Sequence, residues 1–310
     1  MIFPETPNAN RAPAVQAEAG LPPTAGALAS PRDTIGLVKQ DVRLGAVEET
    51  LLVPLYLRAV ESRRKRPIIV DPQAMEMVRA IDWDFERFGQ RWRVVSCTLR
   101  TAMFDEFVAE FLRGHPEGTV VEIGAGLNTR FERLDNGRLH WFDLDLPDVV
   151  ELRRKFFADT ARRVTLSGSI LDSDWIARVR QSPGPYFFVA ETVLVYLPAP
   201  EVKAALAQIA RNFPAMRIAL DTAGLRGIER GNQDFVRRNM AARFAWACDD
   251  PRELEGWNIG LRLLESRSPL DVGGPLRARL SLPVRTLFCV LRTLFPKLAK
   301  GYRLNLFEAP

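Results

Sequence analysis

Between Thr119 and Thr222 the chain presents five short apolar runs rich in β-branched and aromatic residues: TVVEIG (119–124), LHWFDLD (139–145), RVTLSG (163–168), YFFVAE (186–191) and RIALDT (217–222). Amphipathic helical patterns separate them, as in PDVVELRRKFFADTA and APEVKAALAQIARNF. Strand and helix in regular alternation leave few options. Parallel strands need long crossover connections, and those connections are right-handed. The expected fold is therefore α/β, a mostly parallel sheet with helices on both faces. The late run RLNLFEA reads as one more strand.

Before Gly114 the period is helical instead. In EETLLVPLYLRAVESRRKR, Leu51, Leu52, Leu55 and Val60 fall near one face, and Pro54 is expected to kink the run. Asp71-Pro72 opens a second helix, since proline suits a first turn. A long helix is expected over Val95–Arg113, with Leu99, Met103, Phe107 and Phe111 stacked at four-residue spacing. The predicted organisation is a Pro/Ala-rich tail over 1–32, a helical lid over 33–113 and an α/β domain over 114–310. A stretch covering the ligand crevice is expected at about 222–300. The tail lacks the unbroken apolar stretch of a signal peptide. The apolar stretch 280–299 is broken by Arg285, Arg292 and Lys297 and is too short for a bilayer, so it is expected to pack on its own domain without a membrane partner.

Composition excludes several chemistries. Cys97, Cys248 and Cys289 lie far apart, which argues against a disulfide scaffold or a cysteine zinc site and for a reducing, cytoplasmic compartment. His115 and His140 are the only histidines, so no metal centre is expected. The net charge is +5, with arginine outnumbering lysine 37 to 6. Basic runs such as Arg63-Arg64-Lys65-Arg66 and Arg237-Arg238 are separated and mixed with acids. They read as solvated helix faces rather than a nucleic-acid groove.

The segment Val120-Val121-Glu122-Ile123-Gly124-Ala125-Gly126-Leu127-Asn128-Thr129 runs a buried strand directly into Gly-x-Gly and a helix, an arrangement that brings a ligand against the backbone. Asp145 ends the next strand, with Asp143 two residues earlier on the same face. A carboxylate there can accept both ribose hydroxyls of a nucleoside cofactor. The dinucleotide fingerprint wants a third glycine where Thr129 stands, so a pyrophosphate is poorly served. S-adenosylmethionine has no phosphate and does not need that glycine. Glu191 ends the fourth strand, where a carboxylate points into the crevice and burial without purpose would be costly.

Four blocks taken together, ETLLVPLYLRAVESRR, LRTAMFDEFV, VVEIGAGLNTRFERL with HWFDLDLPDVVELR, and AETVLVYL, make the chain resemble the class I S-adenosylmethionine-dependent methyltransferases. Within these it is similar to the leucine carboxyl methyltransferase-like family, on the polyketide O-methyltransferase side. The resemblance implies a Rossmann-like, seven-stranded sheet and S-adenosylmethionine as cofactor. It implies that Arg100 pairs with the cofactor's carboxylate, a bond that a guanidinium fork makes well on physical grounds too. Gly124, Ala125 and Gly126 would lie against the methionine portion. Asp145 would take the ribose, with Asp143 as second choice, and Ser169, Ile170 and Leu171 would flank the adenine. Ile170 stands where the phosphatase-modifying enzymes carry an acid, for which Asp172 could substitute. Glu191 would contact the cofactor, and Glu122 would order the glycine loop. Tyr196 could face the substrate or pack in the core.

The expected function is O-methylation of a small molecule, a carboxylate or phenol of a polyketide-like product. Glu191 and Tyr196 are the weak catalytic candidates. A carboxylate acceptor needs no base, whereas a phenol usually does. Neither histidine sits near the crevice, which favours a carboxylate or a phenol helped by a carboxyl group. The alternatives are a nucleic-acid-modifying methyltransferase, an NAD(P)-dependent oxidoreductase and a non-catalytic binding module. The sequence does not set the oligomeric state.

Overall fold

A computed structural model of the chain describes residues 44–88, 90–295 and 301–310. The tail expected at 1–32 lies outside them. The strands are β1 (Thr119–Ile123), β2 (His140–Asp145), β3 (Arg163–Ser167), β4 (Tyr186–Ala190), β5 (Arg217–Ala223), β6 (Arg262–Arg267) and β7 (Tyr302–Glu308). They form one sheet in the order β3-β2-β1-β4-β5-β7-β6. β1 to β5 are parallel, and β7 runs antiparallel between β5 and β6. β1 has β2 on one side and β4 on the other, so the winding reverses between β1 and β4. A crevice opens at the carboxyl ends there.

The helices are α1 (Leu52–Ser62), α2 (Pro72–Ala80), α3 (Arg91–Gly114), α4 (Arg130–Leu134), α5 (Pro147–Arg153), α6 (Asp174–Val179), α7 (Ala199–Asn212), α8 (Leu225–Arg237), α9 (Gly274–Arg279) and α10 (Leu282–Leu294). Successive strand residues face opposite sides, and both sides are apolar. Val121, Phe142, Phe188 and Ile218 meet Trp175 of α6 and Val202, Leu206 and Ile209 of α7. Val120, Trp141, Phe187 and Ala219 meet Leu99, Phe104, Phe107 and Phe111 of α3. The long helix grouped with the lid in the sequence reading is thus a layer of the sheet's own core.

The remaining cover consists of α1, α2 and the segment around Phe85. Leu52, Leu55, Ala59, Ala74, Met77, Ile81 and Phe85 pack with Leu127, Leu152 and Phe157, which belong to the loop after β1 and to the region of α5. Asp71 caps α2, accepting from Ala74 N at 2.9 Å. The kink expected at Pro54 does not arise. A 3-10 turn occupies Glu48–Leu51 and α1 starts at Leu52, so Pro54 falls in the first turn, where no intrahelical N–H is required. Within the stretch expected to cover the crevice, Arg262–Arg267 joins the sheet as edge strand β6. Among the described residues no helix is long and apolar enough to cross a membrane.

Candidate active site

The glycine loop owes its shape to two left-handed glycines and two buried arginines. Gly124 has φ +61° and Gly126 φ +50°, conformations that cost any other residue. A Cβ on Gly124 would stand 2.4 Å from Val193 Cγ2. Arg153 Nη1 donates to the carbonyls of Gly126 (2.7 Å) and Asn128 (3.2 Å), and Arg58 Nη2 donates to that of Leu127 (2.7 Å). The carbonyls are thereby drawn away from the crevice, and Gly124, Ala125 and Gly126 line it. Glu122 accepts from Asn128 Nδ2, in the loop, at 2.8 Å. Burial pushes the Glu122 carboxyl up to about 7 against the opposing pull of Arg130.

Asp145 and Asp143, equivalent on strand parity, have separate fates. Asp145 lines the cavity and accepts from Gly126 N (2.6 Å) and Leu146 N (2.8 Å). Burial raises its carboxyl to about 6, opposed by those two backbone donors. Asp143 is turned into the protein. It accepts from Trp141 Nε1 (2.9 Å) and Arg163 Nε (2.8 Å) and lies 2.7 Å from Arg153 Nη2. Despite burial, Arg153 and Arg163 hold its carboxyl below the ordinary value. It is no part of the cavity wall. Its role is to anchor Arg153, hence the glycine loop.

Glu191, at the end of β4, is buried among cations. Its Oε1 accepts from Arg100 Nε and Thr101 Oγ1, each at 2.8 Å, and its Oε2 accepts from Arg130 Nη2 at 2.5 Å. Burial opposes ionisation, but Arg100 and Arg130 hold the carboxyl at about 2. Arg130 is itself buried and also pairs with Glu122 and Asp105. Arg100 uses Nε on Glu191 and Nη2 on Cys97 Sγ (3.7 Å), while Nη1 makes no hydrogen bond among the described residues. The outer edge of its fork is thus open to an anion.

These groups share one cavity of about 560 Å³, inside the range of about 300–1,000 Å³ usual for small-molecule sites. Ser169 and Ile170 line it after β3. Leu171, expected beside them, does not, because the turn that Asp172 makes by accepting from Ser169 N (2.7 Å) carries it outward to 37% exposure. Neither His115 nor His140 lines the cavity. Tyr196 does, its hydroxyl 3.1 Å from Thr50 Oγ1. Beyond Tyr196 the walls are aromatic, with Phe88, Phe235 and Phe244. Phe244 packs against Tyr196 and Phe235 at centroid distances of 5.1 and 4.9 Å. Its ring sits over Gly231 of α8, where a Cβ would come within 2.4 Å of it. Its backbone is tied by a reciprocal pair of hydrogen bonds to Asn232.

The profile described as Leucine carboxyl methyltransferase matches residues 52–210, which takes in α1, the glycine loop, Asp145 and Glu191. The chain belongs to the leucine carboxyl methyltransferase family. Members of this family are methyltransferases, and their methyl donor is S-adenosylmethionine. Among the family's relatives, the tetracenomycin polyketide synthesis O-methyltransferase TcmP of Streptomyces glaucescens is 32% identical over 236 residues, 75% of this chain and 86% of TcmP. The S-adenosyl-L-methionine-dependent methyltransferase dpfgK of Gibberella zeae is 29% identical over 253 residues, 74% of this chain and 84% of that one. A DUF574 family protein from Streptomyces avermitilis, at 13% identity and TM-score 0.53, covers 83% of this chain and 97% of its own and shares the fold.

The residues present fit the cofactor of the family. Gly124, Ala125 and Gly126 line the cavity, a carboxylate stands at the end of β2, and Arg100 Nη1 is unclaimed among the described residues. Sequence reading missed Arg58, Arg130 and Arg153. No simple signal marks them among 37 arginines, although Arg153 lies on the apolar face of its helix with Val149, Val150 and Leu152.

Proposed function

We propose that the enzyme methylates an oxygen of a small molecule, a carboxylate or a phenol of a polyketide-like natural product, with S-adenosylmethionine as donor. The observation that carries this reading is the division of one cavity into two chemistries. The glycine loop, Asp145, Arg100 and Glu191 meet at the carboxyl ends of β1, β2 and β4, while Phe88, Tyr196, Phe235 and Phe244, with the Arg93–Asp234 ion pair and Arg238 among them, line the rest. A largely apolar cleft suits a flat organic acceptor. The family membership and the name of the TcmP relative support the same class of acceptor.

When bound, the cofactor supplies a methyl group activated on a sulfonium. The chain's work is then mostly positioning. Asp145 accepts the ribose hydroxyls, and Arg100 takes the carboxylate with the free edge of its fork. Glu191 fixes the other edge of that fork and places a carboxylate near the amino group. Ser169 and Ile170 flank the adenine. The left-handed glycines keep the loop thin enough for close approach. Tyr196 and the phenylalanines hold the acceptor's plane.

Calorimetric titration with S-adenosylhomocysteine, with NAD as control, tests the cofactor side. Micromolar binding of the first alone is expected, and NAD binding in its place overturns the reading. Mass spectrometry of a panel of aromatic acids and phenols after incubation with the donor then tests the acceptor class. Gain of one methyl group on oxygen is the expected product.

A further inference from the structure

Packing on its own domain, the expectation for residues 280–299, holds for one face of α10. Phe288 is buried and Val284 half-buried there, both against the core that α3 builds on the sheet. A second face of the same helix is apolar and faces outward. Leu287 and Val290 are each 41% exposed and Leu294 is 66% exposed, against 5% for Phe288. At 3.6 residues per turn these three and Pro283 fall within about 60° of one another, a stripe along the helix. Leu282 and Phe295 add exposed apolar surface at its two ends. Trp92, half-exposed in the first turn of α3, stands edge-on to Phe288 with 6.1 Å between ring centroids. Single apolar residues on a surface are ordinary, whereas a contiguous row of them marks a contact.

The charge around the stripe has one sign. Between Asp271 and Glu308 the chain carries no acidic residue, while Arg277, Arg279, Arg285, Arg292, Lys297, Lys300 and Arg303 all fall there. Arg279 donates to Ile68 O (2.8 Å), and Arg285 donates to Leu280 O (2.9 Å) and Ala278 O (2.7 Å). Carbonyls satisfy those N–H groups without neutralising the charge. Arg292 Nη1 stands 4.0 Å from Asp271 Oδ1, a long and exposed pair that compensates little. Whatever covers the stripe must therefore be apolar and negatively charged together. A second copy of the chain would set this acid-free segment against itself.

We propose that α10 is an interfacial helix that docks this face of the protein on a membrane of anionic phospholipids. Such a surface supplies acyl chains for the stripe and phosphates for the basic segment. The helix lies in the plane of the membrane. Its 13 residues reach about 20 Å, short of the ~30 Å hydrocarbon core. Pro283, Leu287, Val290 and Leu294 enter between the headgroups, and Trp92 sits at headgroup level, where an indole is at home. The uncompensated arginines draw the face toward the membrane from within a Debye length. Docking of this kind is independent of the reaction in the cavity.

Co-sedimentation of the full chain with two kinds of vesicle tests the docking. One kind is phosphatidylcholine alone, and the other contains about a third phosphatidylserine. Binding to the anionic vesicles should be at least about tenfold tighter, and about 0.5 M salt should weaken it by screening. The triple variant Leu287→Ser, Val290→Ser, Leu294→Ser should bind them at least about tenfold more weakly. Arg277→Gln with Arg292→Gln should weaken binding about tenfold as well. All five side chains are exposed, so the urea midpoint should match the wild type and separate lost docking from lost folding. If the triple variant is destabilised, Leu294→Ser alone at the most exposed of the three positions gives the same comparison. No binding to anionic vesicles, equal binding to both kinds, or binding that survives either set of substitutions overturns the proposal. Sedimentation velocity without lipid judges the rival occupant. A wild-type monomer is expected, whereas a dimer that the triple variant dissociates makes the stripe a contact between copies and overturns membrane docking.

Discussion

Asp145 must work as an anion in a place that disfavours one. Burial lifts its carboxyl to about 6, and only the amides of Gly126 and Leu146 resist that rise. Affinity for S-adenosylhomocysteine should therefore increase between pH 5 and pH 7, as the acceptor for the ribose hydroxyls forms. Asp145→Asn should flatten that dependence and weaken binding at least about tenfold; calorimetry at several pH values reads both. Arg100→Ala should cost a similar factor, since it removes a charge-assisted contact worth roughly 1.5–3 kcal/mol. The stability of the free protein follows two opposite signs. Asp145 and Glu122, raised to about 6 and about 7, stabilise the fold when neutral, and that contribution is lost as pH rises through those values. Glu191, held at about 2, contributes above its ordinary carboxyl value, and its share is lost as pH falls toward 2. Through these three groups, urea midpoints of the free protein should consequently peak at about pH 4, fall below it, and decline above it until about pH 7. Sequence made both acids of Asp143-Leu144-Asp145 visible but not their division of labour. The cations that claim Asp143 come from α5 and β3, and nothing in the residue order pairs them with it.

At the scale of elements, the loop after β1 is clamped from behind. Arg153→Met would leave the Gly126 and Asn128 carbonyls without that donor and take one of two cations from buried Asp143. Breaking such a pair costs about 3–5 kcal/mol, so the urea midpoint should drop sharply; a loss under about 1 kcal/mol would mean that the loop finds other donors. Gly124→Ala should lower both the urea midpoint and the affinity for S-adenosylhomocysteine, because the added methyl meets Val193 at the cavity wall and alanine is strained at φ +61°. β1, β2, β4 and β5 were legible because their residues are buried on both faces, whereas the edge strand β3 showed itself by the alternation of RVTLS between turns. β6 was not legible. RLLESR is a half-buried edge strand with a register shift between Leu263 and Glu265, which erases the period-two signal. The long helix α3 was legible as a helix but not as sheet cover, since its sequence does not say which partner its phenylalanines meet.

Over the whole molecule, the cover formed by α1 and α2 is bonded to the part of the site it overlies. Arg58 reaches from α1 to Leu127 O, and Asp71 at the start of α2 accepts from Arg58 Nε (2.8 Å) and Thr129 Oγ1 (2.6 Å). Cover and glycine loop should accordingly tighten as a unit. On binding S-adenosylhomocysteine, hydrogen exchange is expected to slow together at residues 124–129 and along α1. Protection of the loop alone would show that the cover moves independently.

The position of β7 sets an order of events during synthesis. Its neighbours β5 and β6 both leave the ribosome before it, yet β6 pairs with no other strand and β5 has β7 on its outer side. Until Tyr302–Glu308 arrives, the nascent chain carries an open sheet edge at β5 and a sixth strand with nowhere to dock. Such an edge invites pairing between chains, so the interval is a window in which a holding chaperone would raise yield. The same late strand brings Tyr302 to Asp221, so the wall of the cavity beside Arg100 is finished only when the sheet is.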